Sequence, residues 1–296
     1  MGIGSSVGSI AKGLIGASLC AAFLFVAGCA SVPPAQVTAF AQGVDSVKLQ
    51  LDTAFAGINQ LATEDEIDRA VTLPTLAEED VGIVLRSEDV AKWDQAFASI
   101  GHYTDSLSLL LSPDRANEFS TAAEGLGTAL SKLDPNALPS PGVAAGFVEL
   151  GRLLIEAKAT TDAVNAARKA DAGVQEVLSE MASVVGESNQ KGLRATVRSH
   201  WQARMGAQQA AFTETTGSPR RDIVVTFISL RDKRDAQDLQ LGALYQSLLA
   251  LAAAHAALAH NSAIDLEAAV GRIKQEFEVA RALDAHFRSL EPQAKP

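Results

Sequence analysis

Cysteine is nearly absent from this 296-residue sequence: Cys20 and Cys29 are the only two, and both lie in its first tenth. Beyond Cys29 the chain has no thiol, which excludes disulfides, thiolate metal sites and cysteine nucleophiles from everything that follows. The stability of that region must therefore come from packing alone. Its length suits one large domain or two small ones.

Catalytic and metal-binding motifs are missing as well. No H-E-x-x-H or Glu-x-x-His pattern includes any of the five histidines, which are His102, His200, His255, His260 and His286. The G-x-S-x-G match at 4–8 lies in the N-terminal segment, and the glycine pair at 125–127 follows no predicted strand. We therefore predict no catalytic residue, no metal, no cofactor and a non-enzymatic protein. An enzyme with a site assembled from scattered Asp, Glu and His residues stays an alternative.

Positive charge is scarce too. The chain has 25 Lys and Arg against 35 Asp and Glu, for a formal net charge of −10. An acidic protein lacks the positive surface that binds nucleic acid or anionic lipid headgroups, so we expect no nucleic-acid partner. Aromatic residues make up 5% of the chain, which leaves few of the large anchors found at protein interfaces.

What the sequence does contain, at its start, is the pattern of a secretory signal peptide. Lys12 precedes an apolar, small-residue run from 14 to 27, and the small residues Ala27 and Gly28 stand directly before Cys29. With cysteine at the cut, Val26-Ala27-Gly28-Cys29 resembles the lipobox of bacterial lipoproteins. An ordinary signal peptide with an incidental cysteine, or an uncleaved anchor helix, are the alternatives. The apolar run is somewhat short for a membrane span of about 20 residues.

The resemblance implies a fate for each end of this segment. Residues 1–28 would be removed as a lipoprotein signal peptide, and Cys29 would become an acylated N-terminus inserted into membrane lipid. Two or more acyl chains are enough for stable anchoring. Ala30 and Ser31 follow without an acidic residue, which in Gram-negative lipoproteins favours the outer membrane, facing the periplasm. Residues 29–36 would be the lipidated tether.

Beyond the tether the apolar periodicity is helical almost throughout, and we predict an all-α, elongated antiparallel bundle of about seven helices, several of them long. The bundle covers 37–291, with a disordered tail at 292–296. The proline-rich stretch 136–142 either divides it in two or lies within one bundle. Predicted helices include 143–185, with a kink at Gly173. The first helix carries one apolar stripe, formed by Val37, Phe40, Val44, Val47, Leu51, Phe55, Ile58 and Leu61.

Three segments have two interpretations each. Residues 239–259 contain no Asp, Glu, Lys or Arg and predict either a buried central helix or a segment that inserts into a membrane. Residues 231–235 alternate in charge sign, as a solvated helix face or a docking patch would. The basic residues around Trp201 form either a site for an anionic partner or inter-helix ion pairs; they are Arg194, Arg198, His200 and Arg204.

These observations predict a membrane-anchored lipoprotein that acts as a structural or protein-interaction module for a partner in the cell envelope. The alternative, from a different class, is a membrane-active, pore-forming-like or lipid-binding protein in which 239–259 is the inserting helix. Leakage from liposomes separates the two hypotheses.

Overall fold

The computed structural model describes residues 34–71, Pro74 and 87–289, and every regular element in this part of the chain is helical. The all-α prediction is therefore confirmed. The lipobox residues Val26, Ala27, Gly28 and Cys29 lie outside the described residues, as do 75–86 and the predicted tail. Residues 31–296 form one compact unit. The α-helices are α1 (Pro34–Ala70), α2 (Ser87–Leu109), α3 (Ala116–Leu130), α4 (Pro141–Ala157), α5 (Ala163–Val185), α6 (Gly192–Glu214), α7 (Arg220–Ala259) and α8 (Ala263–Ser289).

Helix α7 is the central element of the bundle, since it packs against α1, α5, α6 and α8. Neighbouring helices run antiparallel. On α4 and α5, for example, Gly146 lies beside Val177 while Gly173 lies beside Leu150. The eight residues of the stripe predicted on α1 are all buried. Because α1 has no acidic residue in its first turn to interact with the helix dipole, its stability comes mainly from this packing.

The predicted single helix over 143–185 is wrong, because the described residues form two helices there, α4 and α5. Helix α4 ends at Ala157 and α5 begins at Ala163, and Asp162 directly before α5 is extended, with a φ of −138° and a ψ of 150°. The Asp162 side chain then accepts a hydrogen bond from the Asn165 backbone N–H at 2.9 Å and caps α5. The apolar period runs on across this break, so periodicity alone does not reveal it. Gly173 lies inside continuous helix α5.

Two serines that precede helices, Ser262 and Ser112, differ in whether they cap the helix. At the start of α8, the Asp265 backbone N–H donates to the Ser262 hydroxyl at 3.4 Å, so Ser262 caps the helix. At Ser112 the hydroxyl makes no capping hydrogen bond, and a 3₁₀ turn over Pro113–Arg115 separates it from α3. In the proline-rich stretch, Ser140 caps α4 through the Val143 N–H at 3.2 Å, and Leu138 is buried.

The apolar segment 239–259 lies largely in the core, within the second half of α7. Of the helices that the structure describes, α7 is the one long and apolar enough to cross a membrane by length and composition. However, 67% of its most apolar window is buried in the protein, as in the core helix of a soluble protein. Leu239, at the start of the segment, is exposed.

Candidate functional site

Of the histidines, His255 has the most specific surroundings. Its Nε2 lies 2.6 Å from the Tyr103 hydroxyl and its Nδ1 lies 2.8 Å from a carboxylate oxygen of Asp171. Gln175 donates a hydrogen bond to the same carboxylate at 3.2 Å and to the Ala252 carbonyl at 2.7 Å. With its proton on Nδ1, the imidazole donates to Asp171 and accepts from Tyr103, so each contact has one proton. The network joins α2, α5 and α7.

Burial and charge act on both ends of this network. Burial and, to a smaller extent, the negative charge of Asp171 raise the pKa of Tyr103 well above its ordinary value of 10.0. For Asp171, burial acts to raise the pKa, but the hydrogen bond and electrostatic interaction with His255 and the Gln175 hydrogen bond outweigh it. The pKa of Asp171 is therefore lowered from 3.8. Asp171 stays ionised and Tyr103 stays protonated near neutral pH.

An Asp–His–Tyr series can transfer protons in an enzyme, but this one is inside the core. Tyr103 and His255 are fully buried, and the ring of Phe40 packs edge-on against the imidazole at 5.3 Å. The surface grooves described below are lined by other residues. The arrangement supports stability rather than chemistry, since it satisfies polar groups that burial would otherwise leave unpaired.

Tyr103→Phe is therefore expected to destabilise the bundle by about 1–3 kcal/mol, because His255 Nε2 loses its partner inside the core. Urea unfolding measures the change, and Tyr245→Phe at a half-buried position is the matched control, with a smaller effect. Stability from Asp171 is present above its unfolded pKa and is lost as pH falls through its lower folded pKa. Because the folded pKa of Tyr103 is raised, its contribution is lost as pH rises above 10. Equal losses for the two Phe variants would contradict this account.

Two of the basic residues around Trp201, Arg194 and Arg204, form ion pairs between helices. Arg194 on α6 pairs with Asp238 on α7 at 3.0 Å, and Arg204 pairs with Glu64 and Asp68 on α1 at 2.5 and 2.9 Å. The buried Trp201 indole donates to the Gln237 side chain at 2.6 Å. These contacts support the ion-pair interpretation of the cluster. Among the described residues, no group of three or more His, Cys, Asp or Glu side chains is placed to hold a metal ion.

The sequence does not single out the most unusual surface, which is the free end of the α6–α7 hairpin. Residues 202–229, all of which the structure describes, include no buried side chain; we call them the hairpin arm. The arm exposes apolar residues that normally form cores: Phe212 (36% exposed), Val224 (42%), Val225 (56%) and Ile228 (43%). The feature of the sequence that could have revealed this surface is the run Ile223 to Ile228, whose apolar side chains lie around the whole helix. One neighbouring helix can cover only one side of such a run.

The turn of the arm is well defined. Gly217 adopts a φ of +77°, which favours glycine, and Pro219 precedes the first residue of α7. The Arg220 guanidinium lies 3.8 Å from the centre of the Phe212 ring, and its Nε donates to the Phe212 carbonyl at 3.2 Å. These contacts fasten the start of α7 to the end of α6, so the two helices of the arm have a fixed spacing.

A groove of about 390 Å³ runs between the two helices of the arm. Its wall is apolar apart from amide and hydroxyl groups, and is formed by Gln208, Gln209, Phe212, Thr213, Ile223, Val224 and Phe227. A second groove of about 390 Å³ lies between α1 and α8, where the buried Gln36 side-chain oxygen has no hydrogen-bond partner within the described residues. A smaller cavity of about 90 Å³ lies between α1 and α6.

The charged residues of the arm lie at its turn and, near its base, at Arg204. Between Met205 and Thr213 on α6, and between Ile223 and Leu230 on α7, the sequence has no Asp, Glu, Lys or Arg. This apolar, neutral surface can bind another apolar surface. A comparison of the chain with protein-family models, curated proteins and solved structures gives no match.

Proposed function

We propose that this protein is a lipoprotein of the cell envelope, a non-enzymatic helical module that presents the hairpin arm to a protein partner. The observation that carries the proposal is the arm itself, whose 28 residues bury no side chain while exposing four large apolar ones. Exposed apolar patches on soluble proteins mark interaction sites. The acylated Cys29 would hold this surface at a membrane. The expected location is the outer membrane, with the protein facing the periplasm.

Energetics supports the same proposal. Two helices that pack only on each other form a marginal structure, because most helix stability in proteins comes from burying an apolar face. Each Å² of apolar surface that a partner removes from water contributes roughly 25 cal/mol. Binding would therefore stabilise the arm itself.

A membrane-active role is the second candidate, supported by the length and apolar character of α7. Insertion of 239–259 would require this helix to leave the centre of the bundle and expose the apolar residues of α1, α5 and α8. Dye release from phospholipid vesicles by the Cys29→Ser chain would support this role. Intact vesicles after addition of the chain would remove it.

Photo-crosslinking in intact cells tests the interaction module. A photoreactive amino acid at Val225 is expected to form a defined adduct, because this side chain is exposed in the middle of the arm. The matched control is the same amino acid at Val148, an exposed valine on α4. The adduct should disappear when Ile228→Asp is added, since a carboxylate cannot be buried without a partner. Equal adducts at both positions, or none at Val225, would contradict the proposal.

A further inference from the structure

We propose that the surface which covers the hairpin arm is the arm of a second copy of this chain, packed antiparallel along α7. This inference rests on the proposed function and names the partner of that same surface. It comes from the order of four outward-facing residues on α7, which we call the arm stripe: Arg221, Val225, Ile228 and Asp232.

The arm stripe lies on one face of the helix. Its members are separated by four, three and four residues, so at 100° per residue they fall within about 60° of the circumference. Arg221, Val225 and Ile228 are exposed. The Asp232 side chain is 36% exposed, and its carboxylate also accepts hydrogen bonds from the neighbouring Arg231 at 2.8 and 3.1 Å. Helix α6 packs against the opposite side of α7 from the arm stripe, where the Met205 sulfur lies 3.6 Å from the Arg234 guanidinium.

The order of the arm stripe is complementary to its own reverse. A two-fold axis between residues 226 and 227 would place Arg221 of one copy beside Asp232 of the other, and Val225 beside Ile228. The symmetry repeats both contacts, giving two opposite-charge pairs that flank an apolar centre. A two-fold interface requires this self-complementarity, and antiparallel helices with apolar residues at three- and four-residue spacing pack in this way.

The net charge of the protein favours the arm over its other surfaces as the contact between two copies. The protein has a formal net charge of −10, so two copies repel each other at most orientations. The arm has no charged residue at the centre of the stripe and a basic residue at its tip. In the paired arms, Arg221 of each copy faces Asp232 of the other, and this charge complementarity fixes the register of the interface.

Charge reversal in pairs tests the inference. Arg221→Glu would place two carboxylates together at each end, and Asp232→Arg would place two guanidinium groups together. Each variant alone is expected to dissociate at least about tenfold more readily than the wild-type dimer. An equimolar mixture of the two variants should associate again. In the mixed pair, the two introduced side chains face each other at one end as carboxylate and guanidinium, and the native Arg221 and Asp232 face each other at the other end.

Sedimentation velocity on the full chain in excess detergent measures the masses, with dilution giving the dissociation constants. Arg281→Glu, at an exposed position on α8, is the matched control and should leave the dimer unchanged. Circular dichroism melting curves that match wild type show that each variant is folded. Val225→Asp, which removes the apolar centre, should dissociate both the wild-type dimer and the mixed pair.

Three results would overturn the inference: a monomeric wild-type chain, a dimer that neither reversal weakens, or variants that fail to associate when mixed. The proposed function fails separately. If wild type is monomeric but the adduct at Val225 contains a different envelope protein, the interaction module stands and the second copy is excluded. If no adduct forms and the chain is monomeric, both proposals fall.

Discussion

Cys29→Ser is expected to abolish lipid attachment completely. A serine hydroxyl does not form the thioether on which lipoprotein processing depends, so the variant should incorporate no radiolabelled palmitate and should keep the mass of the unprocessed chain. Each buried acyl CH₂ contributes about 0.8 kcal/mol to membrane binding, and two or more chains hold a protein to a bilayer. Loss of the acyl chains therefore removes the anchor entirely rather than weakening it by degrees.

The chain provides its own control for this experiment, because Cys20 is its other cysteine. Cys20 lies within the apolar run of the proposed signal peptide, so Cys20→Ser should leave labelling and processing at wild-type levels. Envelope fractionation on a density gradient should then place the wild-type and Cys20→Ser proteins with the outer membrane. A Cys29→Ser protein that matures to the wild-type mass and fractionates with envelopes would contradict the lipoprotein proposal.

Gly173→Ala is expected to destabilise the bundle, although alanine is the better helix former. An added Cβ at Gly173 would lie 2.6 Å from the Leu150 Cα and 2.7 Å from its backbone nitrogen. Both are main-chain atoms, so relief requires α4 and α5 to move apart. Overpacking of this kind costs about 1–3 kcal/mol, and occasionally more, against a gain of about 1 kcal/mol in helix propensity. Gly173→Leu is expected to prevent stable folding.

Gly206→Ala is the matched control, since Gly206 is also inside a helix and its added Cβ meets nothing within 4 Å in the described structure. Here the propensity gain is unopposed, and stability should rise by about 0.5–1 kcal/mol. Thermal or urea unfolding of the two variants should therefore give shifts of opposite sign. If both alanines stabilise, the close approach of α4 and α5 is not as tight as the structure indicates.

The parts of the fold that the sequence predicts are those decided by local periodicity. The stripe on α1 repeats every three or four residues, and each member is buried, because an apolar face of that width has to be covered. The break at Asp162 could not be found in this way, since the apolar period is the same on both sides of it. A cap forms there because α4 and α5 have to fold back on each other.

Contacts between residues that are distant in the sequence could not be predicted either. His255 is 152 residues from Tyr103 and 84 from Asp171, and no local pattern relates them. The exposure of the hairpin arm also could not be predicted from local pattern. Its apolar run is visible in the sequence, but the absence of a covering helix depends on where the rest of the bundle ends. The sequence directs attention to 239–259 as the longer uncharged segment, and that segment has neighbours to bury it.

Helix α7 is a single unbroken rod of 40 residues, about 60 Å long at 1.5 Å per residue. Its first part is the arm, and its last turns hold His255 between α2 and α5. The hairpin arm and the hydrogen-bond network of His255 are therefore connected by one continuous helix, with no break between them. A partner that bound the tip of the arm would therefore contact the same continuous helix that carries His255.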